Sequence, residues 1–256
     1  MDVVAADGQA YPFLLDTAAS RTVVYRTFVS LLDLEASRGQ SRRVITATGP
    51  REMQVYRVGK IHALGTAFDL KETVAFPDPR GRGVYGILGI DIMHGRRLAL
   101  GGDGARFLLE DDEDWLDDPS WLVAEGRPVG YGSLAVTVTI AGVEIPAIVD
   151  TGAGATVLNR MAGAELKGKA GVEVGAGAAS VSATAGSVAA EVLVVEHLTI
   201  GDWRKENQRL VVADLPVFSA FGAKHAPAMI LGADVLLSAA NMVIDFKEWR
   251  LCVQVP

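Results

Sequence analysis

Apolar and polar positions alternate along most of this chain in short runs, and the runs break at turns that contain glycine. Residues 2–15 give VVAA, a turn at Asp7-Gly8 and then AYPFLL, which reads as a hairpin because glycine at such a turn supplies the positive φ that tight hairpins need. RRVITATGPREMQVYRV, residues 42–58, alternates on both sides of Thr48-Gly49-Pro50 and predicts a second, longer hairpin. Helical spacing is scarce. Phe28, Leu31 and Leu32 predict one face of a short helix capped by Thr27, and RMAGAELKG at 160–168 predicts a weaker one capped by Asn159.

The order of these elements repeats. LAVTVTI, Ala141-Gly142 and VEIPAIVD at 134–150 match the first hairpin, with Pro12 and Pro146 each four residues before an aspartate. ASVSATAGSVAAEVLVV at 179–195 matches the longer hairpin, HLTIG at 197–201 matches HALG at 62–65, and LVVADLP at 210–216 matches ETVAFPD at 72–78. Each half closes on another hairpin, RRLALGGDGARFLLE at 96–110 and MVIDFKEWRLCVQV at 242–255. The pattern predicts an all-β chain of two lobes with a few short helices. Residues 1–109 form the first lobe and 131–256 the second. Residues 110–130 have no counterpart. They carry Pro119, Gly126 and Pro128 and read as an acidic connector, with a binding element for a basic ligand as the other reading.

The most informative repeat is FLLDTAAS at 13–20 against AIVDTGAG at 147–154, in which Asp16 and Asp150 lie 134 residues apart. Each puts Asp-Thr and small residues straight after an apolar run, so a strand ends in a tight turn with a carboxylate at its exit. A second repeat follows in the same order. YGILGIDIM at 85–93 has Gly89 73 residues beyond Asp16, and MILGADVLL at 229–237 has Gly232 82 residues beyond Asp150. Asp91 and Asp234 are placed to cap short helices after these glycines.

Paired aspartate loops, Asp-Thr-Ala in the first copy and Asp-Thr-Gly in the second, each with a distant apolar-apolar-Gly partner, resemble two fused copies of the retropepsin-like aspartic peptidase family, and the resemblance covers nearly the whole chain. It implies a bilobal acid-protease fold of two pseudo-symmetric β-barrel lobes, with Asp16 and Asp150 as the catalytic pair. Thr17 and Thr151 would tie the two loops together through their hydroxyls, Gly152 would let one loop pass close to the other, and Gly89 and Gly232 would complete the structural motif. It also implies that the long hairpins are flaps over bound peptide, with Thr48 and Gly49 at one tip and Thr184, Ala185 and Gly186 at the other; an ordinary hairpin is the competing reading. Val44, Ile45 and Met53 on the first flap suit apolar partners, and Arg42, Arg43 and Arg51 suit acidic ones. The sequence departs from the family at position 18, where Ala18 stands in place of glycine. An added methyl in a crowded loop can displace a carboxylate. Two functions therefore stay open, an aspartic endopeptidase and a peptide-binding module that keeps the cleft without hydrolysis.

Composition and charge narrow the rest. The net charge of −7 is held entirely by residues 110–118, which contain seven acids and no base, so there is no basic stripe to neutralise nucleic-acid phosphates. No run of 18 apolar residues is present to span a membrane. Cys252 is the lone cysteine, which excludes an internal disulfide and a thiolate cage, and His62, His94, His197 and His225 are scattered. Neither a metal nor another cofactor is expected. Met1-Asp2 runs directly into a predicted strand with no room for a signal peptide, so a protein with a trimmed leader would be exported and one without would be cytoplasmic. The expected partner is a peptide or protein substrate, bound by a monomer acting as an internal pseudo-dimer.

Overall fold

A computed structural model of the 256-residue chain describes residues 1–46, 49–79, 81, 83–101, 104–108, 118–176, 179–183 and 186–255. The fold is mostly β and bilobal, as the pattern predicts. In lobe one, strand Ala10–Leu15 pairs antiparallel with Asp2–Val4 and parallel with Gly86–Leu88, in the register Phe13↔Gly86 and Leu15↔Leu88. Val23–Tyr25 then runs antiparallel to Gly86–Leu88 and parallel to Thr73–Phe76. Lobe two repeats this. Val143–Val149 pairs antiparallel with Ser133–Ile140 and parallel with Met229–Leu231, which in turn meets Val157–Leu158. Parallel strands of this kind need cover on both faces, which explains why Val149, Leu231 and Leu88 are fully buried.

Turn chemistry follows the sequence closely. Gly8 takes φ +77°, and Ala141 and Gly142 take +48° and +78°, the pair of positive values that a two-residue hairpin turn requires. Asn159 caps helix Arg160–Leu166, its side chain accepting from the N–H of Ala162 at 2.9 Å.

Elsewhere the structure departs from the sequence reading. Thr27 does not cap helix Arg26–Leu31: Tyr25 stands at the cap without a side-chain bond, and Asp78, from a distant loop, accepts from the Thr27 N–H at 3.0 Å. Phe28 is buried but Leu31 is 55% exposed, because six residues make under two turns and present only a narrow apolar face. Gly49 and Pro50, read as turn residues, already belong to the returning strand Gly49–Tyr56, and the hairpin closes at the pair Thr46↔Gly49. Within the stretch read as a connector, Trp121–Val129 is a strand that pairs first with Arg250–Gln254 and then with Ser133–Ile140. The acidic residues 110–117 lie outside the described residues.

The two lobes are joined by a shared sheet. The closing hairpin of lobe one, Arg97–Gly101 with Gly104–Leu108, lies edge to edge with Asn241–Asp245 of lobe two, in the register Arg97↔Asp245 through Gly101↔Asn241. At its first rung Arg97 Nε meets the buried Asp245 Oδ2 at 3.2 Å, and Arg250 adds a second contact to that oxygen at 3.1 Å. Burial alone would raise the pKa of Asp245. Donation from the N–H groups of Glu248 and Lys247 and from Arg250 and Arg97 outweighs it and holds the carboxyl below its ordinary value. Among the described residues, no helix is long and apolar enough to cross a membrane.

Candidate active site

Each aspartate stands where its strand leaves the sheet. The Asp16 N–H donates to the Leu88 carbonyl and the Asp150 N–H to that of Leu231, both at 3.0 Å, so the short parallel partners set the height of both carboxyls. The chain then turns back on itself. Asp16 Oδ1 accepts from the N–H of Ala18 at 3.0 Å and of Ala19 at 2.7 Å, while Asp150 Oδ1 accepts from Gly152 at 2.9 Å and Ala153 at 3.0 Å. Ala18 therefore occupies a loop with the same donor set as the loop that has glycine.

Four further bonds tie the loops together. The Thr17 hydroxyl donates to the Val149 carbonyl at 2.7 Å and accepts from the Thr151 N–H at 3.1 Å. The Thr151 hydroxyl donates to the Leu15 carbonyl at 2.8 Å and accepts from the Thr17 N–H at 3.3 Å. Thr17 is fully buried, so losing this lattice would strand polar groups away from water. Gly152 fits against the opposite aspartate: a Cβ built on it would lie 2.4 Å from Asp16 Cγ and 2.5 Å from Oδ2.

Both carboxyls titrate above their ordinary range. Withdrawal from water is the main cause for Asp16, opposed by the N–H groups of Ala18 and Ala19. For Asp150 burial again leads, the charge of Asp16 adds to it, and the pKa stands well above the usual value. Two acids this close cannot both ionise cheaply, an arrangement suited to sharing one proton.

A pair of buried threonines that the sequence reading passed over supports each loop from below. Thr22 donates through both N–H and hydroxyl to Asp91 Oδ1, each at 2.8 Å, and its hydroxyl accepts from the Gly89 N–H at 3.1 Å. Thr156 donates to both oxygens of Asp234, its N–H to Oδ2 at 3.0 Å and its hydroxyl to Oδ1 at 2.7 Å, and its hydroxyl accepts from the Gly232 N–H at 3.0 Å. Asp91 and Asp234 are thus not helix caps; Gly89 and Gly232 occupy the cap positions, and the carboxylates reach back to the threonines. A Cβ on Gly89 would lie 2.4 Å from the Arg21 carbonyl carbon, and one on Gly232 would lie 2.6 Å from that of Ala155, so only glycine lets these backbones cross. The signal was in the sequence: a threonine falls six residues after each aspartate, and an aspartate two after each glycine.

Each long hairpin packs on an apolar cluster of its own lobe. In lobe one, Val44 and Met53 pack with Phe76 and Ile87 against Val23, Val55 and Val74. In lobe two, Val181, Val188 and Ala190 pack with Ala153 against a cluster that includes Val157, Phe218 and Ile230. Val23 and Val157 each lie seven residues past an aspartate, which makes the clusters counterparts. Helix Val217–Ala220 of lobe two comes beside strand Ala36–Thr46 of lobe one, and Gly49 is buried. Gly186 opens strand Gly186–Ile200; Thr48, Thr184 and Ala185 lie outside the described residues.

A model of the aspartyl protease family matches the chain twice, over residues 3–92 and 136–235. These two stretches contain both aspartate loops, both supporting threonines and both glycine motifs. A search of curated proteins returned no match.

Proposed function

Since this chain belongs to the aspartyl protease family, we propose that it is an endopeptidase in which Asp16 and Asp150 hydrolyse a peptide bond through one shared proton and one bound water. The observation that carries this reading is the pair of inward-held carboxyls, each with Oδ1 fixed by two backbone N–H groups. The ionised member takes a proton from water as the water oxygen attacks the peptide carbonyl carbon. The protonated member gives its proton to the carbonyl oxygen, forming a gem-diol. Collapse of the diol breaks the C–N bond as the amine nitrogen receives the proton taken from water, and the shared proton returns to the pair.

Burial supplies what this cycle needs. It lifts both carboxyls toward the pH at which exactly one proton is held, and the threonine lattice fixes the pair at small reorganisation cost. Ala18 raised the reading of a binding module without hydrolysis, yet its loop keeps both N–H bonds to Asp16 and both threonine bonds. The hairpins around Gly49 and Gly186 act as flaps, gripping an extended peptide as an added strand and excluding water.

The test is digestion of unfolded casein between about pH 3 and 7 by the wild type, Asp16→Asn and Asp150→Asn, with and without pepstatin. Cleavage by the wild type alone supports the reading. Peptide binding without cleavage at any pH would establish the binding module instead.

A further inference from the structure

The strand registers align the two flap hairpins rung by rung. From the closing pair outward, Thr46↔Gly49, Ile45↔Pro50, Val44↔Arg51, Arg43↔Glu52 and Arg42↔Met53 in lobe one answer Ala183↔Gly186, Ser182↔Ser187, Val181↔Val188, Ser180↔Ala189 and Ala179↔Ala190 in lobe two. Val44 and Val181 occupy the same place, and each packs on the cluster built around the valine seven residues past its lobe's aspartate, Val23 in one and Val157 in the other. Their cross-strand partners differ: where lobe two has Val188, lobe one has Arg51.

Directly paired residues in an antiparallel ladder share a face of the sheet. Arg51 therefore shares with Val44 the face of its hairpin that packs on the Val23 cluster beside the Asp16 loop, and Arg42, two rungs away with Met53, shares it too. Arg43 and Glu52 face each other on the far side. Arg42 is already engaged, its guanidinium 3.4 Å from Glu72. Arg51 is exposed, its guanidinium donates to the Pro50 carbonyl at 3.2 Å, and no acid among the described residues pairs with it. Its counterpart Val188 packs into an apolar cluster, so the two halves of the cleft present different chemistry.

Resting on the peptidase reading above, we infer that Arg51 is a specificity-determining residue that selects substrates carrying an acidic side chain on the lobe-one side of the cleft, opposite an apolar residue on the lobe-two side. A planar guanidinium fits a carboxylate with two parallel hydrogen bonds, and a flap that excludes water strengthens them. A valine at the equivalent site can take only an apolar group. The cleft therefore reads a peptide in one direction, which a symmetric pair of flaps cannot do.

The test uses fluorogenic peptides with one apolar core, in which Glu or Gln is placed in turn at each of three positions on either side of the scissile bond. The wild type is expected to show a ratio of kcat/KM for Glu over Gln of about fivefold or more, at positions on one side only. Arg51→Gln should bring that ratio to near one, Arg51→Glu should invert it, and Arg51→Lys should keep part of it. A wild-type ratio near one at every position, or a preference that survives in Arg51→Gln, overturns the inference. Binding of the same peptides by fluorescence anisotropy to Asp16→Asn, with and without Arg51→Gln, gives the same comparison without turnover. If no peptide is cleaved the peptidase reading falls, and the binding ratio alone then decides the role of Arg51.

Discussion

Gly152→Ala is the sharpest perturbation of the centre. The new Cβ would lie 2.4 Å from Asp16 Cγ, whereas carbon atoms rest comfortably at about 3.5 Å. Roughly 1 Å must be recovered by movement, and little slack is present. Asp16 is held by two N–H bonds at 3.0 and 2.7 Å, and the Gly152 loop by the Thr17 and Thr151 bonds and its own bonds to Asp150. A displacement of about 1 Å in a catalytic group costs on the order of 100-fold in rate, or about 2.7 kcal/mol of barrier. Ala18 provides the internal control, since it already places a methyl group in the matching loop. Ala18→Gly should therefore leave kcat/KM unchanged or raise it, while Gly152→Ala lowers kcat by about 100-fold with a far smaller change in KM. Steady-state kinetics on one cleavable peptide, with thermal melts to confirm folding, decide the matter. A folded Gly152→Ala enzyme within about threefold of the wild type would refute the argument that Gly152 is there for the close approach of Asp16.

Other outcomes follow from the same geometry. Asp16→Asn and Asp150→Asn should each abolish hydrolysis, and mixing the two purified variants should not restore it, because the shared sheet holds both aspartates of a site within one chain; recovered activity would show lobes exchanging between chains. The pH profile of kcat/KM should be a bell whose limbs lie above the ordinary carboxylate value of 3.8, since both carboxyls are raised and one proton must remain; an optimum below about pH 3 would contradict it. Stability carries the matching sign. A carboxyl with a raised folded pKa stabilises most below its unfolded value of 3.8 and loses that contribution as pH rises through the folded value, so Asp150→Asn should gain in Tm over the wild type as pH climbs from about 4 to 7. Asp245→Ala should cost about 3–5 kcal/mol in urea unfolding, because it removes the buried carboxylate that holds Arg97, Arg250 and the N–H groups of Lys247 and Glu248 at the lobe junction.

How much of this was legible in sequence depended on whether the determinant was local. The hairpin turns at Gly8 and Ala141-Gly142 and the Asn159 cap were readable because their hydrogen bonds close within a few residues. The aspartate loops were readable because they recur. Strand Trp121–Val129 was not, since Gly126 and Pro128 look like linker punctuation. The structure gives them another purpose: the strand leaves Arg250–Gln254 at Glu125 and joins Ser133–Ile140 at Gly126. A Cβ on Gly126 would lie 2.5 Å from the Ala135 carbonyl oxygen. Glycine marks a change of neighbour here, and proline is tolerated where one neighbour has been left behind. The capping of Thr27 by Asp78, 51 residues away, and the pairing of Arg97 with Asp245, 148 residues away, depend on the finished fold and leave no local trace.

The two halves have diverged unevenly, and the unevenness follows the physics of each part. The aspartate turns, the threonine lattice, the threonine-aspartate supports and both crossing glycines match position for position. Each of these groups is hydrogen-bonded to another part of the fold or pressed against it, so a change in one copy leaves an unsatisfied partner or a clash. Ala18 is the exception within that set. The long hairpins carry no such constraint: their ladders are held by backbone bonds that any side chain permits, and there Arg42, Arg51 and Met53 occupy the places of Ala179, Val188 and Ala190. Joining both copies in one chain is what makes that divergence usable. A dimer of identical chains would place the same side chain on both long hairpins, whereas here each hairpin can change alone while the shared sheet keeps the two lobes together.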